Sequence, residues 1–178
     1  MIMETRRKVA AVVAALAIGV GGAVWATSAA SAAPAAPATP KCTPGNLAVW
    51  VNVQTGNGAL GTIRYHLDFT NMSGHTCHLF GYPGVSALNA SGGQLGSPAS
   101  RDPGAPAIAV NIAPGGTAHA VFGWVDAALE PSCHPVLARM LRVFPPNDTG
   151  ALQTFFDVPV CSTKFPVDLT IRRMQPGV

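Results

Sequence analysis

The amino-acid sequence predicts an all-β fold, and three observations lead to that prediction. Apolar and polar residues alternate in several short segments, no stretch keeps a 3.6-residue apolar period, and 19 Gly and 16 Pro residues interrupt the chain. Short alternating segments separated by Gly and Pro turns are typical of antiparallel sandwiches. We therefore expect an immunoglobulin-like antiparallel β-sandwich of about seven to eight strands, cross-linked by two disulfides.

The start of the chain has the order of a secretory signal peptide. A basic segment, Met1–Lys8, precedes the 17-residue apolar run Val9–Trp25, and small residues follow with the cleavage pattern Ala30-Ser31-Ala32. This order predicts that residues 1–32 are a removable export signal and that the protein is secreted. Because 17 apolar residues are close to the minimum that spans a bilayer, an uncleaved anchor is the alternative.

The rest of the chain is predicted to be one domain behind a short spacer. Residues 33–41 are rich in Ala and Pro and should be semi-extended, so the β-sandwich domain is expected at 42–178. The sequence has 11 basic and 8 acidic residues, of which three basic and one acidic residue fall within residues 1–32. The remaining chain therefore carries 8 basic and 7 acidic residues. A net charge near +1 excludes a charge-driven nucleic-acid binder, because phosphate neutralisation needs clustered cations.

The first strands of the domain are predicted to have one buried and one wet face. Leu47–Gln54 alternates with a period of two, and Thr62–Thr70 places Ile63, Tyr65, Leu67 and Phe69 on one face against polar residues on the other. A short strand is expected at Thr76–Phe80, after the loop Asn71–Gly74.

Later segments continue the strand pattern, with one weak region. Ala107–Ile112 and Thr117–Val125 are predicted to form a hairpin around Pro114-Gly115-Gly116. Val85–Ala107 is dense in Ser, Gly, Ala and Pro, which predicts a long loop with at most a minor hairpin at Gly92-Gly93. The remaining strands are expected at Leu137–Phe144, Leu152–Val158 and Val167–Ile171.

Four cysteines, an even number in a chain predicted to be exported, indicate two disulfides. They are Cys42, Cys77, Cys133 and Cys161. Three connectivities are open to them. The pairing of Cys42 with Cys77 and of Cys133 with Cys161 is favoured, because each bond would clamp an irregular loop onto a neighbouring strand.

The segment Cys77-His78-Leu79-Phe80-Gly81-Tyr82-Pro83-Gly84-Val85 has the pattern Cys-x-Leu-x-Gly-Tyr-Pro-Gly-Val. Together with Gly61–Asn71, Pro114-Gly115-Gly116 leading to Trp124, and the later cysteines, it resembles an actinobacterial family of secreted or lipid-anchored four-cysteine proteins described as a domain of unknown function. The resemblance implies a compact β-sandwich outside the membrane and brings no reaction, ligand or catalytic residue. Members often carry a lipid-attachment cysteine, which this chain lacks, so no stable membrane anchor is expected after cleavage.

Histidines beside the cysteines raise the alternative of a copper or zinc site. His75 and His78 flank Cys77, and His134 follows Cys133, so three imidazoles could gather near the disulfide ends. Because oxidised cysteines cannot ligate a metal as thiolates, we expect surface histidines and no metal or other cofactor. His66 is predicted to belong to a solvated cross-strand polar row, and His119 to be an ordinary strand residue.

Signatures of known enzyme classes are absent from the sequence. It has no Gly-x-Ser-x-Gly elbow, no His-Glu-x-x-His helix and no Gly-rich phosphate loop, and Glu130 is the sole glutamate after residue 32. We expect no enzyme activity, with a secreted hydrolase of unrecognised site as a second alternative. The aspartates are expected to be solvated: Asp68, Asp102, Asp126, Asp148, Asp157 and Asp168.

Aromatic residues supply the candidate binding surface. Trp124 follows Ala120 and Phe122 at strand spacing and should anchor the core, whereas Trp50 shares its face with Asn52 and Gln54. An exposed Trp on a polar strand face is a candidate binding residue, although packing under the Val85–Ala107 loop is the favoured placement of Trp50. With Tyr82 as a second candidate, the sequence predicts a secreted, non-catalytic domain that binds an extracellular protein or a cell-wall polymer.

Overall fold

The computed structural model of the chain describes residues 38–59, 61–126, 129, 131–163 and 168–177. The predicted export signal and most of the predicted spacer lie outside these residues. Within the described ranges, no helix is long and apolar enough to cross a membrane.

Over the described residues the fold is all-β, as predicted, with eleven strands and the short 3₁₀ turn Pro44–Asn46. In chain order the strands are β1 (Leu47–Ala59), β2 (Thr62–Asn71), β3 (Cys77–Phe80), β4 (Gly84–Leu88), β5 (Gln94–Leu95), β6 (Ser100–Arg101), β7 (Ala109–Ile112), β8 (Thr117–Val125), β9 (Pro135–Phe144), β10 (Leu152–Cys161) and β11 (Leu169–Pro176).

These strands form two larger sheets and one small one. The five-stranded sheet has the order β1-β2-β8-β11-β6, the four-stranded sheet has the order β10-β9-β4-β5, and β3 pairs with β7. The predicted number of seven to eight strands is wrong, since the short strands β4, β5 and β6 lie in the segment predicted to be a loop. The prediction of an antiparallel sandwich is also incomplete, because β6 runs parallel to β11.

The segment 85–107 is therefore not one long loop. Strand β4 pairs with β9, and its residues Val85, Ala87 and Leu88 are buried in the core. A strand buried on both faces shows no alternation, which is why the period-two pattern missed it. The expected minor hairpin does form: β4 pairs with β5, and the Asn89 side chain accepts hydrogen bonds from the N–H groups of Ser91 and Gly93 across the turn.

The hairpin predicted between β7 and β8 is wrong, although its turn exists. Gly115 adopts a φ of +71°, and the Gly116 N–H donates to the Ala113 carbonyl at 2.9 Å. Beyond this turn the two strands separate, because Val110 and Ile112 pair with β3 while β8 pairs with β2 and β11. Alternation identified both strands but not the partner of either.

One hydrophobic core collects buried side chains from all three sheets. In β2 the residues Leu67 and Phe69 point into this core, and in β8 Ala120, Phe122 and Trp124 do the same. The prediction that Trp124 anchors the core is confirmed. Because side chains alternate along a strand, the residues between these on β2 and β8 must point to the outer face of the five-stranded sheet.

Both favoured disulfides are confirmed. Cys42 bonds to Cys77 across a separation of 35 residues, which ties the segment before β1 to the first residue of β3. Cys133 bonds to Cys161 across 28 residues and ties the segment before β9 to the end of β10.

Candidate functional site

A row of polar and aromatic side chains crosses the outer face of the five-stranded sheet. Trp50 of β1 lies opposite Asp68 of β2, and Asp68 lies opposite His119 of β8. Residues directly opposite each other in antiparallel strands project to the same side. The register that buries Leu67 and Phe69 therefore also brings Trp50, Asp68 and His119 together on the outside.

This row borders a groove of about 400 Å³ on the sheet surface. Its lining residues are Trp50, Asn52, Thr55, His66, Asp68, Thr117, His119 and Gly177. Trp50 is 40% exposed, whereas Asp68 and His119 are only 7% and 8% exposed. The groove thus offers a solvent-accessible indole beside polar groups that the surrounding side chains hold largely out of water.

An irregularity in β1 fixes the polar groups next to Trp50. The register between β1 and β2 shifts between Asn52 and Asn57, and Thr55 bridges the shift. The Thr55 hydroxyl donates to the Asn52 carbonyl at 2.7 Å and accepts the His66 N–H at 2.8 Å. A β-bulge of this kind redirects side chains without ending the strand pairing.

The Asn52 amide connects this bulge to the buried carboxylate. Its Nδ2 donates to Oδ2 of Asp68 at 3.1 Å, while its Oδ1 accepts the Gln54 N–H at 3.3 Å. Both ends of the amide are engaged, so Asn52 and Asp68 are held in one orientation before any ligand arrives. A carboxylate can accept several hydrogen bonds, so Asp68 retains acceptor capacity beyond the bond from Asn52.

Two histidines form the base of the groove. The imidazole rings of His66 and His119 stack with centroids 3.9 Å apart and planes 9° from parallel. Burial, and secondarily the charge of His66, lowers the pKa of His119, while Asp68 and a hydrogen bond to the Pro176 backbone oppose this. Since proline has no N–H, the His119 ring donates to the Pro176 carbonyl. At neutral pH the second ring nitrogen of His119 is then an acceptor.

Gly177 borders the groove beside Thr117 of β8. Gly177 packs so tightly on the Thr117 carbonyl that any side chain there would collide with it. The Thr117 hydroxyl shares a 2.7 Å hydrogen bond with the Thr70 hydroxyl. Gly177 thus lies directly beside Thr117 of β8, and both residues line the groove.

Of the two aromatic residues predicted as a binding surface, Trp50 lines this groove and Tyr82 does not. Trp50 lies on the wet side of β1 among residues of β2 and β8, instead of beneath residues 85–107. Tyr82 lies in the bend between β3 and β4, where the Arg101 guanidinium sits 5.6 Å from its ring centroid. Trp50 therefore lies in the groove, whereas Tyr82 contacts Arg101 elsewhere on the surface of the fold.

The histidines of the copper or zinc alternative are not gathered into one site. His78 Nδ1 lies 2.9 Å from the Thr39 carbonyl oxygen, His75 belongs to the loop before β3, and His134 precedes β9. Among the residues described by the structure, no group of three or more His, Cys, Asp or Glu side chains could hold a metal ion.

Two aspartates predicted to be solvated are buried. Asp68 lies in the groove, and Asp168 accepts the Cys161 N–H at 2.7 Å through Oδ2. Burial, as the largest effect, raises the pKa of Asp168. The alternating pattern did place His66 and Asp68 on the polar face of β2. The burial of Asp68 is not visible in β2 alone, because its neighbour His119 comes from β8, a distant part of the sequence.

A family model described as "Domain of unknown function (DUF4232)" matches residues 42–171. The matched range contains all four half-cystines and every lining residue of the groove except Gly177. No curated protein and no solved structure gives a significant match to the chain.

Proposed function

The chain belongs to the DUF4232 family of domains of unknown function, and we propose that it is a secreted, non-catalytic domain that binds an extracellular protein or a cell-wall polymer. The groove around Trp50 is the proposed binding surface. The observation that carries this proposal is the 40% exposure of Trp50 in a groove that the buried residues Asp68 and His119 also line. Exposed aromatic residues next to fixed polar groups are typical of binding hot spots.

Two features support an extracellular location. Both disulfides join residues far apart in the sequence, and such bonds persist in oxidising compartments. The segment 1–32 has the basic, apolar and small-residue order of an export signal. The immunoglobulin-like class of the sandwich is likewise a proposal, supported by two larger sheets that share one core.

The hydrogen bonds of the groove favour binding over hydrolysis. Asp68 and His119 resemble part of a catalytic arrangement, but the described residues that line the groove include no serine or cysteine. The two lining hydroxyls are engaged elsewhere, that of Thr55 with the Asn52 carbonyl and that of Thr117 with Thr70. A nucleophile next to a base, which covalent hydrolysis requires, is therefore not formed by these side chains.

Retention on envelope fractions tests the proposal. Wild-type protein, Trp50→Ala and a matched control, Phe155→Ala, are incubated separately with insoluble cell-wall material and with an immobilised surface-protein fraction. Phe155 is an 85% exposed aromatic residue on β10 of the other sheet, so the control removes a ring of similar kind from a distant face. We expect wild type and control to be retained on one fraction and Trp50→Ala to be lost. Equal retention of all three proteins, or no retention of any, contradicts the proposal.

A further inference from the structure

We propose that the Trp50 groove binds uncharged sugar rings of a glycan chain. This inference rests on the proposed function and narrows its partner to one chemical class. It follows from the pairing of one aromatic wall with a fixed set of hydrogen-bonding groups on the neighbouring strands.

The aromatic wall matches the apolar face of a sugar ring. A pyranose has a face of C–H groups and an edge of hydroxyls, and the indole of Trp50 presents a flat apolar surface to the groove. Packing those C–H groups on the exposed indole removes apolar area from water on both sides. The strand β1 holds the ring on a rigid sheet rather than on a loop, so little order must be gained on binding.

The polar wall matches the hydroxyl edge of the same ring. Asp68 lies opposite Trp50 on the neighbouring strand, and His119 lies opposite Asp68 on the strand after that, so the carboxylate is one strand and the imidazole two strands from Trp50. Asn52 holds the carboxylate at 3.1 Å, and the Pro176 carbonyl holds His119. We expect adjacent sugar hydroxyls to donate to the carboxylate of Asp68 and to an imidazole nitrogen of His119, both of which line the groove.

The charges of the groove disfavour anionic ligands. No Lys or Arg occurs among its described lining residues, and Asp68 places a carboxylate at its centre. A phosphate or carboxylate ligand would meet this charge without a compensating cation. A cationic ligand would find a single carboxylate that already accepts a bond from Asn52. Neutral hydroxyls satisfy the same groups without burying a new charge.

The position of the groove disfavours an extended peptide. Peptides that add to a sheet pair with the main-chain groups of an edge strand. The groove instead lies on the face of the sheet, over the edge strand β1 and its neighbours β2 and β8, and the main-chain groups of β2 and β8 already pair with each other. Its volume of about 400 Å³ is within the range of sites for small ligands, which is about 300 to 1,000 Å³.

Calorimetric titration with neutral oligosaccharides tests the inference. The probes are the tetrasaccharides of N-acetylglucosamine, of glucose and of mannose, and the proteins are wild type, Trp50→Ala, Asp68→Asn and the control Phe155→Ala.

We expect at least one probe to bind wild type and control equally. Trp50→Ala should bind it roughly tenfold or more weakly, because the stacking surface is lost. Asp68→Asn, which keeps the size of the side chain, should also weaken binding. The far-ultraviolet circular dichroism of each variant verifies that it is folded.

The outcomes separate this inference from the proposed function. If none of the three probes binds while Trp50-dependent retention on an envelope fraction persists, the sugar inference is overturned and the binding function stands. Retention on the surface-protein fraction alone, with no probe bound, assigns the groove to a protein partner and also overturns the inference. Sugar binding that survives Trp50→Ala unchanged places the ligand elsewhere and overturns it as well.

Discussion

His66 and His119 stack their imidazole rings across strands β2 and β8, with centroids 3.9 Å apart. They are not directly opposite in register, since His66 faces Val121 and His119 faces Asp68. The stack therefore runs diagonally and packs one ring over the other at the base of the groove. Two imidazolium charges at this distance would repel each other, so protonation of one ring opposes protonation of its neighbour.

The first prediction concerns the titration of His119. His119 should titrate below the ordinary histidine value of 6.5, because burial and His66 both lower its pKa. Replacement of His66 by glutamine removes one of these two causes and should raise the pKa of His119. The ring proton shifts of His119, followed by NMR across the pH range, measure its pKa in wild type and in His66→Gln. His78→Gln serves as the control, and a His119 pKa that is identical in His66→Gln and wild type contradicts the coupling.

The second prediction concerns the pH dependence of stability through Asp168. Because burial raises its pKa above 3.8 in the folded protein, the unfolded chain loses this proton first as the pH rises. The free energy of unfolding should therefore fall from pH 3.8 upward and level off above the folded pKa. Asp168→Asn keeps an oxygen that can accept the Cys161 N–H and does not titrate, so this fall should shrink.

Urea unfolding of wild type and Asp168→Asn at several pH values measures the effect. Asp157→Asn is the matched control, since Asp157 is exposed and pairs with the exposed Arg139. The control should keep the wild-type dependence in the range where Asp168 titrates. An Asp168→Asn profile that overlays wild type would refute the assignment of this dependence to Asp168.

The third prediction concerns the buried amide of Asn71 at the end of β2. Its Nδ2 donates to the carbonyls of His75 and Ile112 at 2.8 and 2.9 Å, and its Oδ1 accepts both the N–H and the hydroxyl of Ser73. Asn71→Ala should lower the free energy of unfolding by about 1 to 3 kcal/mol, because the buried Ile112 carbonyl loses its Asn71 donor. The exposed Asn57→Ala should change it by less than about 0.5 kcal/mol. Equal denaturation midpoints for the two variants would contradict this role.

The fourth prediction concerns the two disulfides. Removal of the Cys42–Cys77 bond by a double alanine substitution should cost about 3 to 4 kcal/mol, since the open chain regains the entropy of a 35-residue loop. Removal of the Cys133–Cys161 bond, with its separation of 28 residues, should cost nearly the same. Urea unfolding of each double variant provides the values. A double variant as stable as wild type shows that its disulfide does not stabilise the fold.

Local patterns in the sequence predicted a large part of this structure. The alternation around Leu67 and Phe69 identified the buried face of β2, and the same alternation put Trp50 on the wet face of β1. The favoured cysteine pairing also matched the structure, because each bond spans neighbouring segments.

Features that depend on long-range pairing were not predictable in this way. Strand β4 is buried on both faces and has no alternating signature, and β7 pairs with β3 although β8 follows it directly. The groove itself requires β8 to lie beside β2, which brings His119 to Asp68 across about 50 residues of sequence. Periodicity gives the face that a side chain occupies but not the strand that lies next to it.

The most direct test of the binding surface is a map of NMR shifts on the isotope-labelled protein as solubilised cell-wall fragments or extracted surface proteins are added. We expect the largest chemical-shift changes at the Trp50 indole N–H and at the amides of Asp68 and His119. The amide of Phe155 on the other sheet should stay unchanged. Shifts centred on Phe155, or a spectrum that does not change with either addition, would contradict this expectation.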